Sequence, residues 1–331
     1  MAKLPLSEFE KIPFIDVDSL DGRVITSLTF HDDGKWRMWL SVGPRLMEIQ
    51  GFPSEASYFS KQPEDPADLH FHFINFIAQH AAFPEIIKPL GGLKDDIYNL
   101  CAVIAKFDLL KKSMTTVGDG IKRMVITEIE YLFSICRSVF DLLHEISACM
   151  WATIQFQDGE KRKVLPKKLT KVLMYEARYL SAQEIMSRFN MPEPWALWYE
   201  RHIIFFSSLR EFRDNIVHHG SAVSSVFSDE DGFSVSIRDK PFDKMNVWAA
   251  EEISPNGVVS LEPAVAYVIW NTLLACEEFS QMLQSSIAFP TALVPEMHMY
   301  MRGHFTDQLQ ISLNTIGKKL ADMRCQPTDV S

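Results

Sequence analysis

An apolar seam between residues 119 and 155 constrains the fold of this chain more than any other stretch. Ile126, Ile129, Phe133, Cys136, Phe140, Leu143 and Met150 recur there in alternating steps of three and four for most of the length. That spacing lays one buried stripe along one very long helix. Such a stripe needs helices packed against it, either from the same chain or from a second subunit. A polar stripe runs beside it: Glu130, Ser134, Arg137, Asp141 and Glu145. Arg137 and Asp141 are spaced to pair across one helical turn. A solvated face accounts for this stripe; a sharper reading turns it toward the helix end at residues 209–220.

The rest of the chain supplies partners for the seam. Only 14 Gly and 17 Pro occur in 331 residues, and long stretches contain neither. Further helices are expected at about 66–78, 93–114 (after Gly91-Gly92), 166–189, 195–219 and 263–286, with one or two more in 294–323. Two regions depart from this pattern. Residues 24–30 and 35–40 flank an Asp33-Gly34 turn and read as a β-hairpin. Residues 224–227, 233–237, 246–249 and 258–261 alternate or carry β-branched side chains, with turns at Asp231-Gly232 and Asn256-Gly257. The expected architecture is mainly α: an N-terminal β-containing extension over 1–62 and a helical domain over 63–331, with a small β-hairpin insertion at about 222–261.

Charge and motifs narrow the chemistry. The net charge of −10 excludes nucleic-acid or anionic-membrane binding through bulk charge, so either would need a local basic patch. The five cysteines are scattered and form no CxxC, and three lie in apolar helical runs; buried thiols and a reducing, cytoplasmic compartment are expected. MAKLPLSEFEK lacks the apolar segment of a signal peptide, and no uncharged run reaches 18 residues, so no membrane association is expected. GxGxxG, P-loop, GxSxG, HExxH and EF-hand patterns are absent. Neither a cofactor nor a metal site is expected.

Two stretches remain. Lys161-Arg162-Lys163-Val164-Leu165-Pro166-Lys167-Lys168-Leu169-Thr170-Lys171 carries six basic residues in eleven, inside an acidic protein. It reads equally as a solvated inter-helix loop and as a phosphate-contacting patch. It holds no interleaved aromatics, so base stacking is not indicated. The second is Leu209-Arg210-Glu211-Phe212-Arg213-Asp214-Asn215-Ile216-Val217-His218-His219-Gly220. Leu209, Phe212 and Ile216 mark an apolar helix face. Arg210 and Asp214, Asp214 and His218, and Asn215 and His219 are each four apart. Gly220 ends the helix. Favourable electrostatics at a helix C-terminus account for much of this cluster.

Arg213-Asp214-Asn215-Ile216-Val217-His218 also resembles the signature of the HEPN superfamily (higher eukaryotes and prokaryotes nucleotide-binding): an Arg, a polar residue, and a His four to six residues beyond the Arg. The similarity extends over roughly 119–287, where a long helix with Glu128-Ile129-Glu130 and Arg137-Ser138-Val139-Phe140-Asp141 precedes the motif helix. The resemblance implies a HEPN-like up-down helical bundle that dimerises. It implies a metal-independent endoribonuclease acting on RNA, or a non-catalytic binding or scaffold module, and it leaves room for a regulatory protein partner. By position Arg213 takes the motif Arg, Asp214 the polar site and His218 the motif His, while His219 also falls within the allowed spacing. Histidine can accept the 2′-hydroxyl proton, and arginine presents a fixed fork to phosphate oxygens. Asp214 could fix the His218 tautomer. Positions five apart on a helix point about 140° apart, so Arg213 and His218 of one chain diverge, and a homodimer becomes part of the expectation. Arg137 and Lys161, Arg162, Lys163, Lys167 and Lys168 are the expected RNA contacts.

Overall fold

The computed structural model describes residues 20–32, 34–42, 45–49, 55–154, 163–176, 178–220, 223 and 225–325. It is mostly helical with small sheets. The seam forms α4, Gly120–Thr153, and every seam residue named above is buried. α4 packs against α2 (Pro84–Lys112), α7 (Glu193–His219) and α8 (Leu261–Ser286). α1 (His72–His80) and α9 (Thr306–Cys325) pack on α8, and α9 also touches α2. A single turn, α3 (Met114–Val117), links α2 to α4. The polar stripe beside the seam is a largely solvated face: Ser134, Asp141 and Glu145 are exposed, whereas Glu130 and Arg137 are half-buried.

α2 begins at Pro84, nine residues before the expected start, and runs through Gly91-Gly92. Neither glycine breaks the helix, and Gly92 serves helix packing. A Cβ on Gly92 would sit 3.1 Å from both Leu142 methyls of α4, so glycine lets the two axes approach closely. The first expected helix starts late, at His72, because Asp65 to His70 forms a turn and a bridge from Leu69 to Met301.

The helix expected over 166–189 is not one helix. α5 (Leu169–Leu173) stops after one turn, a two-residue hairpin pairs β5 (Met174–Tyr175) with β6 (Arg178–Tyr179), and α6 (Ala182–Phe189) starts afresh. Glu176 takes φ 47 at the hairpin. Ser181 then caps α6: its Oγ accepts from the Glu184 N–H at 3.3 Å, and the Glu184 carboxylate accepts from the Ser181 N–H at 2.9 Å. The Arg178 guanidinium and this cap hold the Glu184 carboxyl down at about 2. Ser181→Ala is expected to lower stability by about 1 kcal/mol, the usual cost of losing an N-cap side chain, read as a shift in the urea denaturation midpoint. An unchanged midpoint would show that the cap does not hold the break.

The β insertion forms β7 (Val226–Asp229), β8 (Gly232–Ser236) and β9 (Val258–Ser260) in that spatial order. The expected strand at 246–249 is absent; a short 3-10 turn, Ala250–Glu252, follows it directly. At the N-terminal end the hairpin of β1 (Ser27–Asp32) and β2 (Lys35–Val42) forms as expected, pairing Leu28 with Trp39. β3 (Arg45–Ile49) and β4 (Ala56–Ser60) extend it. The last strand comes from the far end of the chain: β10 (His298–Arg302) completes a sheet ordered β10-β4-β1-β2-β3. The tail expected to be helical therefore begins as a strand.

That junction is held by a buried carboxylate. Asp68 accepts two 2.8 Å hydrogen bonds from Arg302, one of 2.5 Å from the Tyr58 hydroxyl and one of 2.8 Å from the Asp65 N–H. The Arg302 guanidinium lies over the Trp36 ring at 5.0 Å and the Tyr58 ring at 5.7 Å. Strands β2, β4 and β10 and the approach to α1 thus meet at one ionic centre.

Candidate functional site

α7 carries the candidate motif on its last turns. Phe206, Leu209 and Phe212 are buried, and the Phe212 ring lies 4.3 Å from that of Phe133 on α4. This packing anchors the helix end in the core and leaves Arg213, Val217 and His218 exposed. Gly220 follows at φ 87, a backbone conformation that glycine adopts without steric cost.

Around α7 the side chains sort into flanks. At 3.6 residues per turn, Phe206, Arg210, Arg213 and Val217 share one flank. Arg137 of α4 reaches this flank: its guanidinium sits over Phe206 at 4.6 Å and pairs with Asp141. Phe206 lies two turns before Arg213, about 10 Å along the axis. Arg137, 18% exposed and paired with Asp141, and Arg213 therefore mark two levels of one flank. Arg210 Nε stands 3.3 Å from Asp214 Oδ2, and Arg213 Nη1 stands 3.4 Å from Asp214 Oδ1. The carboxylate expected to orient His218 is thus shared between two arginines. His218 lies about 140° round the helix from Arg213; the two belong to different flanks of one chain. His219 is the last residue of α7, and its side chain lies outside the described residues.

The opposite flank carries an exposed ion-paired cluster. Lys240 Nζ lies 2.6 Å and Lys244 Nζ 3.3 Å from the Glu211 carboxylate. The loop after β8 therefore meets α7 through Glu211, on the side that His218 takes two turns later, and Glu211 stays 43% exposed there.

The basic run is partly described: Lys161 and Arg162 lie outside the described residues. Lys163, Lys167, Lys168 and Lys171 are all exposed. Their backbone is tied down. Trp151 Nε1 donates to the Lys163 carbonyl at 2.7 Å, and the His144 ring meets the Pro166 carbonyl at 2.8 Å. Burial lowers the His144 pKa, which favours the neutral ring as a donor here. The run leads directly into the β5–β6 hairpin, and Arg210 Nη1 contacts the Met174 sulfur at 4.0 Å. The folded chain thereby brings the hairpin that follows the basic run to Arg210 of α7.

Two features escaped the sequence reading. His202 of α7 is buried with Nε2 2.9 Å from Glu278 of α8, and Arg201 meets the same carboxylate at 3.0 Å. Burial lowers the His202 pKa, and the Phe140 and Trp198 rings wall it in. No local spacing signals a pair 76 residues apart. The other is a cavity of about 400 Å³ between α2, α8, α9 and the β7–β8 turn, lined in part by Phe107, Lys111, Phe233 and Gln308. None of the expected site residues lines it. The buried thiols behave as expected: burial pushes Cys101 and Cys136 up to about 12. Among the described residues, no group of three or more His, Cys, Asp or Glu is placed to hold a metal ion, and no helix is long and apolar enough to cross a membrane.

No family model, curated protein or solved structure matches this chain.

Proposed function

We propose that this chain is a metal-independent RNA endonuclease of HEPN type, built on a HEPN-like bundle and acting as a homodimer. In this reading Arg213 of one protomer and His218 of its partner form each site. The observation that carries the reading is that Arg213 and His218 are both exposed on one anchored helix end, with the Arg210–Asp214–Arg213 cluster beside them. His218 would take the 2′-hydroxyl proton and Arg213 would balance the charge that grows on the phosphate. Arg137 and the exposed lysines at 163, 167 and 168 would neutralise the backbone. The divergence of Arg213 and His218 about the helix axis makes a second chain part of the mechanism.

Purified protein incubated with structured and unstructured RNA in the presence of a chelator tests this. Cleavage that requires both Arg213 and His218 is the expected result, and intact RNA sinks the proposal. A second reading has one observation in its favour. Asp214 already pairs with both Arg210 and Arg213, which suits a helix end built for binding without cleavage. RNA bound but left intact by the native protein would favour that reading.

A further inference from the structure

We infer that the β5–β6 hairpin and the basic run leading into it form a binding surface for single-stranded nucleic acid, with Tyr175 and Tyr179 as stacking platforms. The inference deepens the reading of the chain as an RNA-acting protein and rests on it. Tyr175 is 47% exposed and Tyr179 44%. Each strand of the hairpin is two residues long, too short to cover its own side chains. Its register pairs Met174 with Tyr179 and Tyr175 with Arg178. Cross-strand partners share a face, so the two tyrosines stand on opposite faces of the hairpin.

Each face also holds an arginine. The Arg188 guanidinium lies 4.9 Å from the centre of the Tyr175 ring. On the Met174–Tyr179 face, Arg210 reaches the Met174 sulfur, and Arg210 leads through Asp214 to Arg213. On the Tyr175 face the ring lies next to a guanidinium, a pairing that holds unpaired bases regardless of their sequence. Bases in a duplex are stacked on one another and offer no free face, so the surface selects single strands.

The backbone charge is met nearby. Lys163, Lys167, Lys168 and Lys171 are exposed. Leu165 and Leu169 are buried between them, Trp151 and His144 hold the Lys163 and Pro166 carbonyls, and the Lys163 ammonium donates to the Ser187 carbonyl at 3.1 Å. The lysines are therefore presented from a fixed backbone and lose less freedom on binding. An extended strand crossing the lysines meets the hairpin next, and its far face opens onto the α7 arginines. The aromatic groups missing from the basic run itself are supplied by the residues that follow it.

The test is binding of the full chain to a 2′-O-methylated oligouridine of about twelve nucleotides, within the span such surfaces take. This probe has no free 2′-hydroxyl to cleave. The matching oligodeoxythymidine, an RNA duplex of the same length and polyglutamate are measured alongside, by fluorescence anisotropy across a salt series. Tyr175→Ala and Tyr179→Ala are each expected to weaken single-strand binding about 5-fold or more. Phe at either position should restore it, because stacking uses the ring. The pair Lys167→Gln and Lys168→Gln should flatten the salt dependence by about 0.7 for each phosphate left without its lysine.

A double tyrosine variant that binds the oligonucleotide as the native chain does would overturn the inference. So would a duplex that binds equally well with the same tyrosine dependence, or polyglutamate that competes for the same lysines. The RNA and DNA arms decide which single strand the surface prefers. The two readings fail separately. Tyrosine-dependent binding with no cleavage keeps this surface and removes the nuclease. Arg213-dependent cleavage with tyrosine-independent binding and cleavage does the reverse.

Discussion

Arg213→Ala should lower RNA cleavage by roughly 100-fold or more while leaving the denaturation midpoint nearly unchanged. The two parts of this expectation have separate physical origins. The Arg213 side chain is 49% exposed and its partner Asp214 38%, and an exposed pair of this kind contributes about 0–1 kcal/mol to stability. A lost activity in this variant therefore reports chemistry and not unfolding. His218→Ala should have an effect of similar size, and His219→Ala decides which of the adjacent histidines takes the proton. Mixing the Arg213→Ala and His218→Ala proteins gives the sharper result. If each site takes its arginine from one protomer and its histidine from the other, a mixed dimer keeps one intact site of its two. With random pairing, roughly a quarter of native activity should return. No recovery in a mixture shown to contain mixed dimers would place both groups of a site in one chain.

Asp68→Ala should cost about 3–5 kcal/mol, as removal of one partner from a buried ion pair does. That is a large share of the ~5–15 kcal/mol by which folded domains are stable. The Asp68 side chain is 1% exposed, and its loss would strand the Arg302 guanidinium and the Tyr58 hydroxyl. Burial alone would push the Asp68 carboxyl up; the hydrogen bonds from Arg302, Tyr58 and the Asp65 N–H outweigh it and hold the carboxyl below its ordinary range. The sign of the pH dependence follows from that depression. A carboxylate with a lowered folded pKa contributes stability above its unfolded value, near about 4, and loses it as pH falls through the folded value. The native protein should therefore weaken in acid below about pH 4, and Asp68→Asn should weaken less steeply over the same window. Urea denaturation of both proteins between neutral and acid pH measures this, and parallel curves would remove Asp68 as the acid-sensitive group.

The long helices were readable because their information is local. The step of three and four from Ile126 to Met150 is enough to place α4, and Gly220 is enough to end α7. The break after Leu173 was also readable, in Ser181-Ala182-Gln183-Glu184, a capping-box pattern inside what otherwise looked like one helix. Gly91-Gly92 misled for a physical reason. Glycine marks both a helix end and a close helix contact, and only the neighbouring Leu142 tells them apart. Met299 to Arg302 gave no sign of joining β4, because strand pairing across the length of the chain leaves no mark in either segment alone. The candidate site divides along the same line. Arg213 and His218 lie in one short motif, and their spacing is local. The approach of Met174 to Arg210, and of Arg137 to Phe206, exists only once the helices are packed.

The order of the five-stranded sheet has a consequence for how the chain is made. β4 lies between β1 and β10, and it leaves the ribosome on the order of 240 residues before its partner. At ~5–20 residues per second, that interval is roughly 12–48 s. Throughout it, one side of β4 is an open edge able to recruit another nascent chain, and Asp68 waits without Arg302. Growth of the polypeptide therefore sets the moment at which the amino-terminal sheet is sealed, and conditions that slow elongation lengthen the period in which its edge is open to foreign strands.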